Sequence, residues 1–311
     1  MGDDWQAIAV RFGLYLDLML LFGVPLFGLY AFRRHERALF ARRPLGGLLA
    51  ATGIFGVALS VLGMAVMAKS MSGAEDYASV ERHVYEMVVM QTDVGISWLV
   101  RMGALALAIC AAVFLGRWPT FRLSAIAVPG AVALASLAWT GHGAMDDGAK
   151  GLLHLSADIL HLLAGAAWVG ALVMFVLLSV RASFAAADRA ELLSRMLGAF
   201  ANIGTVIVVT LVITGASNYW LISEGALRAL VSTDYGVLML VKLSLFVLML
   251  GLAAAHRYLL SPRLVGALRH GSASEALAAL RRSLAVEFTA ATGILMLVAW
   301  LGTLSPSVAS G

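Results

Sequence analysis

The chain alternates long apolar runs with short polar gaps, and it does so eight times. The runs fall at about 8–32, 46–68, 95–116, 123–140, 152–180, 197–221, 236–260 and 284–304. Crossing the hydrocarbon core of a bilayer takes roughly 20 mostly apolar residues as a helix. Backbone amides and carbonyls find no water there, so each run closes its own hydrogen bonds as an α-helix. The pattern predicts an all-α fold, a polytopic membrane bundle of eight transmembrane helices, read as one integral membrane domain over residues 1–311. No gap is long enough to fold as a separate domain. The longest on one side, 69–93, is amphipathic and reads as an interfacial helix. The longest on the other, 261–283, contains a surface-helix pattern from Ser274 to Arg281.

Charge alternates with the gaps. One set holds Arg33, Arg34, Arg37, Arg42, Arg43, Arg117, Arg122, Arg181, Arg189, Arg195, Arg257, Arg263, Arg269, Arg281 and Arg282. The other holds only Lys69, Arg82, Lys150 and Arg228. The excess of arginine on cytoplasmic loops predicts that both termini lie outside, N-out and C-out, which in a Gram-negative inner membrane means the periplasm. The start, Met-Gly-Asp-Asp-Trp, lacks the basic region of a cleavable signal peptide, so the first run reads as a permanent span.

Composition agrees. Hydrophobic residues make up 61% and charged residues 13%, against about 25% charged in soluble domains. The net charge of +4 belongs to topology rather than to nucleic-acid binding, because the basic residues sit in the gaps. There is no phosphate-binding GxxxxGK[ST] loop, and the single cysteine, Cys110, excludes an intrachain disulfide and a CxxC metal motif. Cys110 reads as a small buried hydrophobe.

Chemistry concentrates in the fifth run. His154, Asp158 and His161 fall at i, i+4 and i+7 and share one helical face. Ionisable groups at membrane depth are costly and mark ion or proton paths, or else hydrogen-bonded networks that hold helices together. Two imidazoles and a carboxylate on one stripe make a metal half-site, with Asp158 a ligand or an orienting residue. A helix rises about 1.5 Å per residue, so the two histidines lie roughly 10 Å apart and read as successive stations, with His142 beside the outer one. The outer segment places His83, Met87 and Met90 at i, i+4 and i+7, and Met64, Met67 and Met71 at i, i+3 and i+7. Thioether and imidazole suit copper, Cu(I) above all; an amphipathic helix packing its methionines on the bundle is the alternative. His35 and His270 lie among solvated arginines, and His256 beside Arg257 reads as an interfacial anchor. Asp17, Arg101, Lys242 and Glu287 are buried charges expected to pair, with Asp158 one partner for Lys242.

Several segments together resemble the CopD (PcoD) family of bacterial inner-membrane copper proteins. They are Trp139-Thr140-Gly141-His142, Asp158 through Gly170, Thr214-Gly215-Ala216-Ser217-Asn218, Thr233 through Phe246, and Leu280-Arg281-Arg282-Ser283 with Glu287. The resemblance covers about 123–305. It implies a non-enzymatic copper-homeostasis protein that moves copper ions from periplasm to cytoplasm. It also implies a small periplasmic partner of the CopC type. This chain departs from the family pattern in having His256 before Arg257 and no histidine after the last span. A second reading is a membrane electron-transfer protein with haem held by histidines of two spans.

Overall fold

A computed structural model describes residues 4–40, 43–141, 148–180, 186–223, 229–269 and 273–304, and there is no strand among them. The helices are α1 (Asp4–Ala31), α2 (Arg34–Phe40), α3 (Arg43–Ser72), α4 (Arg82–Gln91), α5 (Asp93–Phe114), α6 (Pro119–Ala135), α7 (Gly148–Val180), α8 (Ala186–Ser223), α9 (Ala229–Ser232), α10 (Asp234–Ala255), α11 (Ser261–Arg269) and α12 (Ala273–Leu301). A 3-10 turn, Ser136–Thr140, extends α6, and a π turn, His256–Leu260, joins α10 to α11. Among the described residues eight helices are long and apolar enough to cross a membrane. The eight apolar runs therefore each became one spanning helix.

α1 occupies the centre and packs on α3, α6, α7 and α12. In lipid no hydrophobic force drives helices together, so close packing through small residues does the work. Gly23 of α1 meets the Ala166 carbonyl and Gly170 of α7 so closely that a Cβ on either glycine would overlap the facing backbone. Gly130 of α6 approaches the opposite side of α1, where a Cβ would lie 3.0 Å from the Leu21 carbonyl oxygen. Further along, Phe27, Phe175 and Phe200 stack edge-on, with centroids 5.2 and 5.7 Å apart.

Three expectations change. Ser274 to Arg281 is not a separate surface helix but the first turns of α12. Leu277, Leu280 and Leu284 are buried at i, i+3 and i+7, and Arg281 donates to the Ser179 carbonyl at 2.7 Å, which fastens this stretch to α7. The amphipathic outer segment is not one helix: residues 69–72 end α3, 73–81 are not helical, and α4 follows. Cys110 is exposed at the bundle periphery rather than buried, because α5 turns Ala104, Ala108, Ala111 and Ala112 inward instead.

The α1–α7 seam yields a direct test. The added methyl of Gly170→Ala meets backbone, which cannot rotate away, so the variant should lose about 1–3 kcal/mol of stability. Gly251→Ala has open space around it and should leave stability unchanged or slightly higher. Thermal unfolding of the purified protein reads both.

Candidate functional site

One face of α7 carries polar groups from His154 to Trp168. His154, Asp158, His161, Gly165 and Trp168 follow at i, i+4, i+7, i+11 and i+14, so they form a single stripe. α8 offers a matching stripe of Thr210, Thr214 and Asn218. Asn218 Nδ2 donates to Asp158 Oδ1 at 2.6 Å, and His161 Nδ1 lies 2.9 Å from Thr214 Oγ1. The Thr214 hydroxyl donates its one proton to the Thr210 carbonyl at 2.6 Å. It can only accept from the imidazole, so His161 carries its proton on Nδ1 and keeps a lone pair on Nε2. Asp158 also interacts electrostatically with His154 and with Lys242 of α10, the pairing open in the sequence.

Deeper in the bundle the stripe meets a second network. Trp168 Nε1 donates to Glu287 Oε1 at 2.8 Å. His256 Nδ1 lies 3.0 Å from Glu287 Oε2, and its Nε2 lies 2.8 Å from Ser283 Oγ. His256 is therefore not an interfacial anchor. The π turn that starts with it carries the ring inward, where it is 7% exposed and answers a buried carboxylate. Arg101 donates to Ser136 Oγ at 2.8 Å instead of pairing with an acid. Asp17 does not pair either: its Oδ2 is buried with no hydrogen-bond partner.

At the arginine-poor end the helices splay around a cavity of about 920 Å³. Met64, Met67 and Met71 of α3 line it together with His154, which is 1% exposed, and Trp139. Arg11, Arg101 and Lys150 line it too. The Arg11 guanidinium donates to the Thr140 carbonyl at 2.8 Å and to the Gly302 carbonyl, tying helix ends together at the rim. Asp158 lies just behind the wall, with Oδ2 3.7 Å from where a Gly141 Cβ would stand.

The cavity's thioethers are thus those of α3. α4 packs inward through Val84 and Val88 against Met64 and Ala68, which turns His83, Met87 and Met90 outward. Met87 is 38% and Met90 71% exposed, and His83 pairs with Glu81 at 3.0 Å on the surface. The sequence pattern showed Met64, Met67 and Met71 on one face but not which of the two methionine stripes faced a void. His142 lies outside the described residues, as do Met145 and His270. His35 is exposed. Among the described residues no three His, Cys, Asp or Glu side chains cluster as a metal cage.

Residues 1–152 match the family described as copper resistance protein D-like, N-terminal domain, and residues 194–301 match copper resistance protein D. The chain belongs to the copper resistance protein D family. Copper resistance protein D of Pseudomonas syringae pv. tomato is 46% identical over 309 residues, 99% of both chains. Inner membrane protein YebZ of Escherichia coli (strain K12) is 26% identical, over 83% of this chain and 85% of its own. No solved structure matches. The relationship reaches back to residue 1 and so includes α1 and the methionine stripe of α3, beyond the segments that carried the resemblance. With its eight apolar helices, this is a multi-pass inner-membrane protein with a copper-related role.

The deeper network can be tested apart from copper. Trp168→Phe keeps the ring but removes the N–H that satisfies Glu287 Oε1. A buried acceptor left without its donor costs about 1–3 kcal/mol. The variant should unfold at a lower temperature than the parent, and an unchanged midpoint would show that the indole bond contributes nothing.

Proposed function

We propose that the protein carries copper ions across the inner membrane, from periplasm to cytoplasm, entering through the cavity at the arginine-poor end. The observation that carries this reading is that Met64, Met67 and Met71 line the same cavity as His154. Three thioethers and an imidazole form a soft ligand set suited to Cu(I). Arg11, Arg101 and Lys150 make the cavity a poor electrostatic trap for cations. Ligand exchange, not charge, selects the metal there. That suits hand-over from a carrier, for which a small periplasmic copper binder of the CopC type is the partner.

From His154 the path continues along the α7 stripe to Asp158 and to His161, whose Nε2 lone pair is set by Thr214. His142 follows Gly141, a cavity residue, and joins the outer station. The exposed face of His83, Met87 and Met90 on α4 meets the carrier first. The haem alternative pairs His154 or His161 with His142, which lies outside the described residues; His256 does not add a free ligand to it, because both its ring nitrogens are engaged.

The arginine asymmetry supports a cytoplasmic arginine-rich end with both termini outside. A phosphatase reporter active only in the periplasm should therefore work when fused after Gly311. Activity there from a cytoplasm-dependent reporter instead would reverse the direction of entry.

Thioether chemistry is tested by Met64→Leu with Met67→Leu, which keep apolar volume and remove sulfur. Copper uptake by vesicles should fall about tenfold or more, the scale of losing part of a metal's support, while thermal unfolding stays unchanged. Met87→Leu with Met90→Leu should slow uptake from a loaded carrier and spare uptake of free Cu(I). Equal uptake by all variants and the parent would reduce both stripes to packing.

A further inference from the structure

Below the methionine-lined cavity the bundle buries a carboxylate that no other described group neutralises. Asp17 sits near the middle of α1 and is 6% exposed. Among the described residues its Oδ2 has no hydrogen-bond partner, and no charged side chain lies near enough to act on it. Gly56 of α3 makes the room: a Cβ there would stand 2.6 Å from Oδ2, in a spot already crowded by Leu18 and by Leu105 of α5. An ionised carboxylate in such surroundings is strongly disfavoured, and burial of this kind at membrane depth belongs to ion and proton paths.

The same face of α3 leads from the cavity to this acid. Met71, Met67, Met64, Ser60 and Gly56 are spaced 4, 3, 4 and 4 residues apart, one continuous stripe. The first four line the cavity. Ser60 is fully buried and its hydroxyl also has no partner. One turn deeper, about 6 Å along the axis, is Gly56 with Asp17 against it. Two orphaned buried oxygens thus lie in line beneath three thioethers.

His154 of α7 lines the cavity itself, and other titratable groups on the surrounding helices bond elsewhere. Arg101, one turn from Leu105 on α5, donates to Ser136. Arg122 of α6 donates to the Ala112 carbonyl. On α7, Asp158 bonds Asn218 and His161 bonds Thr214. On α12, Glu287 bonds Trp168 and His256. Tyr15, on α1 itself, interacts with Arg11, Arg101 and Asp158.

We infer that Asp17 is a proton site coupled to the cavity: its carboxyl holds a proton while the methionine stripe is empty and releases it when a soft monovalent cation binds there. The O–H bond breaks with its electron pair left on the carboxylate. The proton passes by the Ser60 hydroxyl to water in the cavity. One positive charge arrives and one leaves, so the buried region keeps its net charge and no redox change occurs. This exchange lets a cation lodge beside Arg11, Arg101 and Lys150. The inference rests on the cavity accepting soft cations, as in the proposed function, but not on net transport.

The probe is silver nitrate, a redox-inert monovalent soft cation, added to the full-length protein in lipid nanodiscs. Difference infrared spectroscopy and proton release into weak buffer are recorded together. The parent should lose a protonated-carboxyl band and release a proton for each silver ion bound. Asp17→Asn should still bind silver with neither signal. Gly56→Ala, which presses a methyl toward Oδ2, should shift the band in a protein that retains its acid, so the result does not hang on one variant folding. Silver binding to the parent with no carboxyl change, or an Asp17→Asn protein that keeps both signals, overturns the inference alone. A parent that binds no silver overturns the cavity reading and this inference with it. Normal signals without vesicle uptake of copper leave the coupling standing and overturn the transport reading.

Discussion

The approach of α1 to α7 at Gly23, Ala166 and Gly170 is the contact on which the rest of the bundle depends. Backbone there meets backbone, with no side chain between. In a bilayer such contact is a main source of helix affinity, because apolar side chains are as comfortable in lipid as against each other. Fixing α7 to α1 along one stripe leaves its other faces to α8 and α12. The polar stripe from His154 to Trp168 then meets Asn218, Thr214 and Glu287 inside protein rather than in hydrocarbon.

Hydrogen bonds between spans add register to that contact. Asp158 with Asn218, His161 with Thr214, Trp168 with Glu287, and His256 with Ser283 each join two helices at one depth. A one-residue slip of any of these helices would break its pair inside a medium where no water replaces it. The same bonds prepare chemistry. Thr214 sets the tautomer of His161, and Asn218 holds the Asp158 carboxylate beside Lys242. In the proposed path, structural and functional roles therefore share residues on α7.

Asp17 breaks this economy. Asp158, His161, His256, Glu287, Arg101 and Arg122 each bond a group on another element, while Asp17 faces a glycine and leucines. Gly56 supplies a space that any other residue would fill, so the exception is built into α3 as well as α1.

Much of this was legible along the chain. Eight apolar runs dictated eight helices, since hydrocarbon allows a continuous segment no other way to satisfy its backbone. The arginine gaps divided the bundle into two ends, and the spacing of His154, Asp158 and His161 put them on one face, because helical periodicity is local. Periodicity does not say what a face meets. It could not tell that Met64, Met67 and Met71 border a cavity while Met87 and Met90 point outward, because α4 shows methionines on one side and Val84 and Val88 on the other, and either could have packed inward. Nor could it tell that Ser274 to Arg281 continues the last span, that His256 turns inward to Glu287, or that Asp17 stands alone. Each depends on which side chains distant segments bring within a few ångströms, and only tertiary packing decides that.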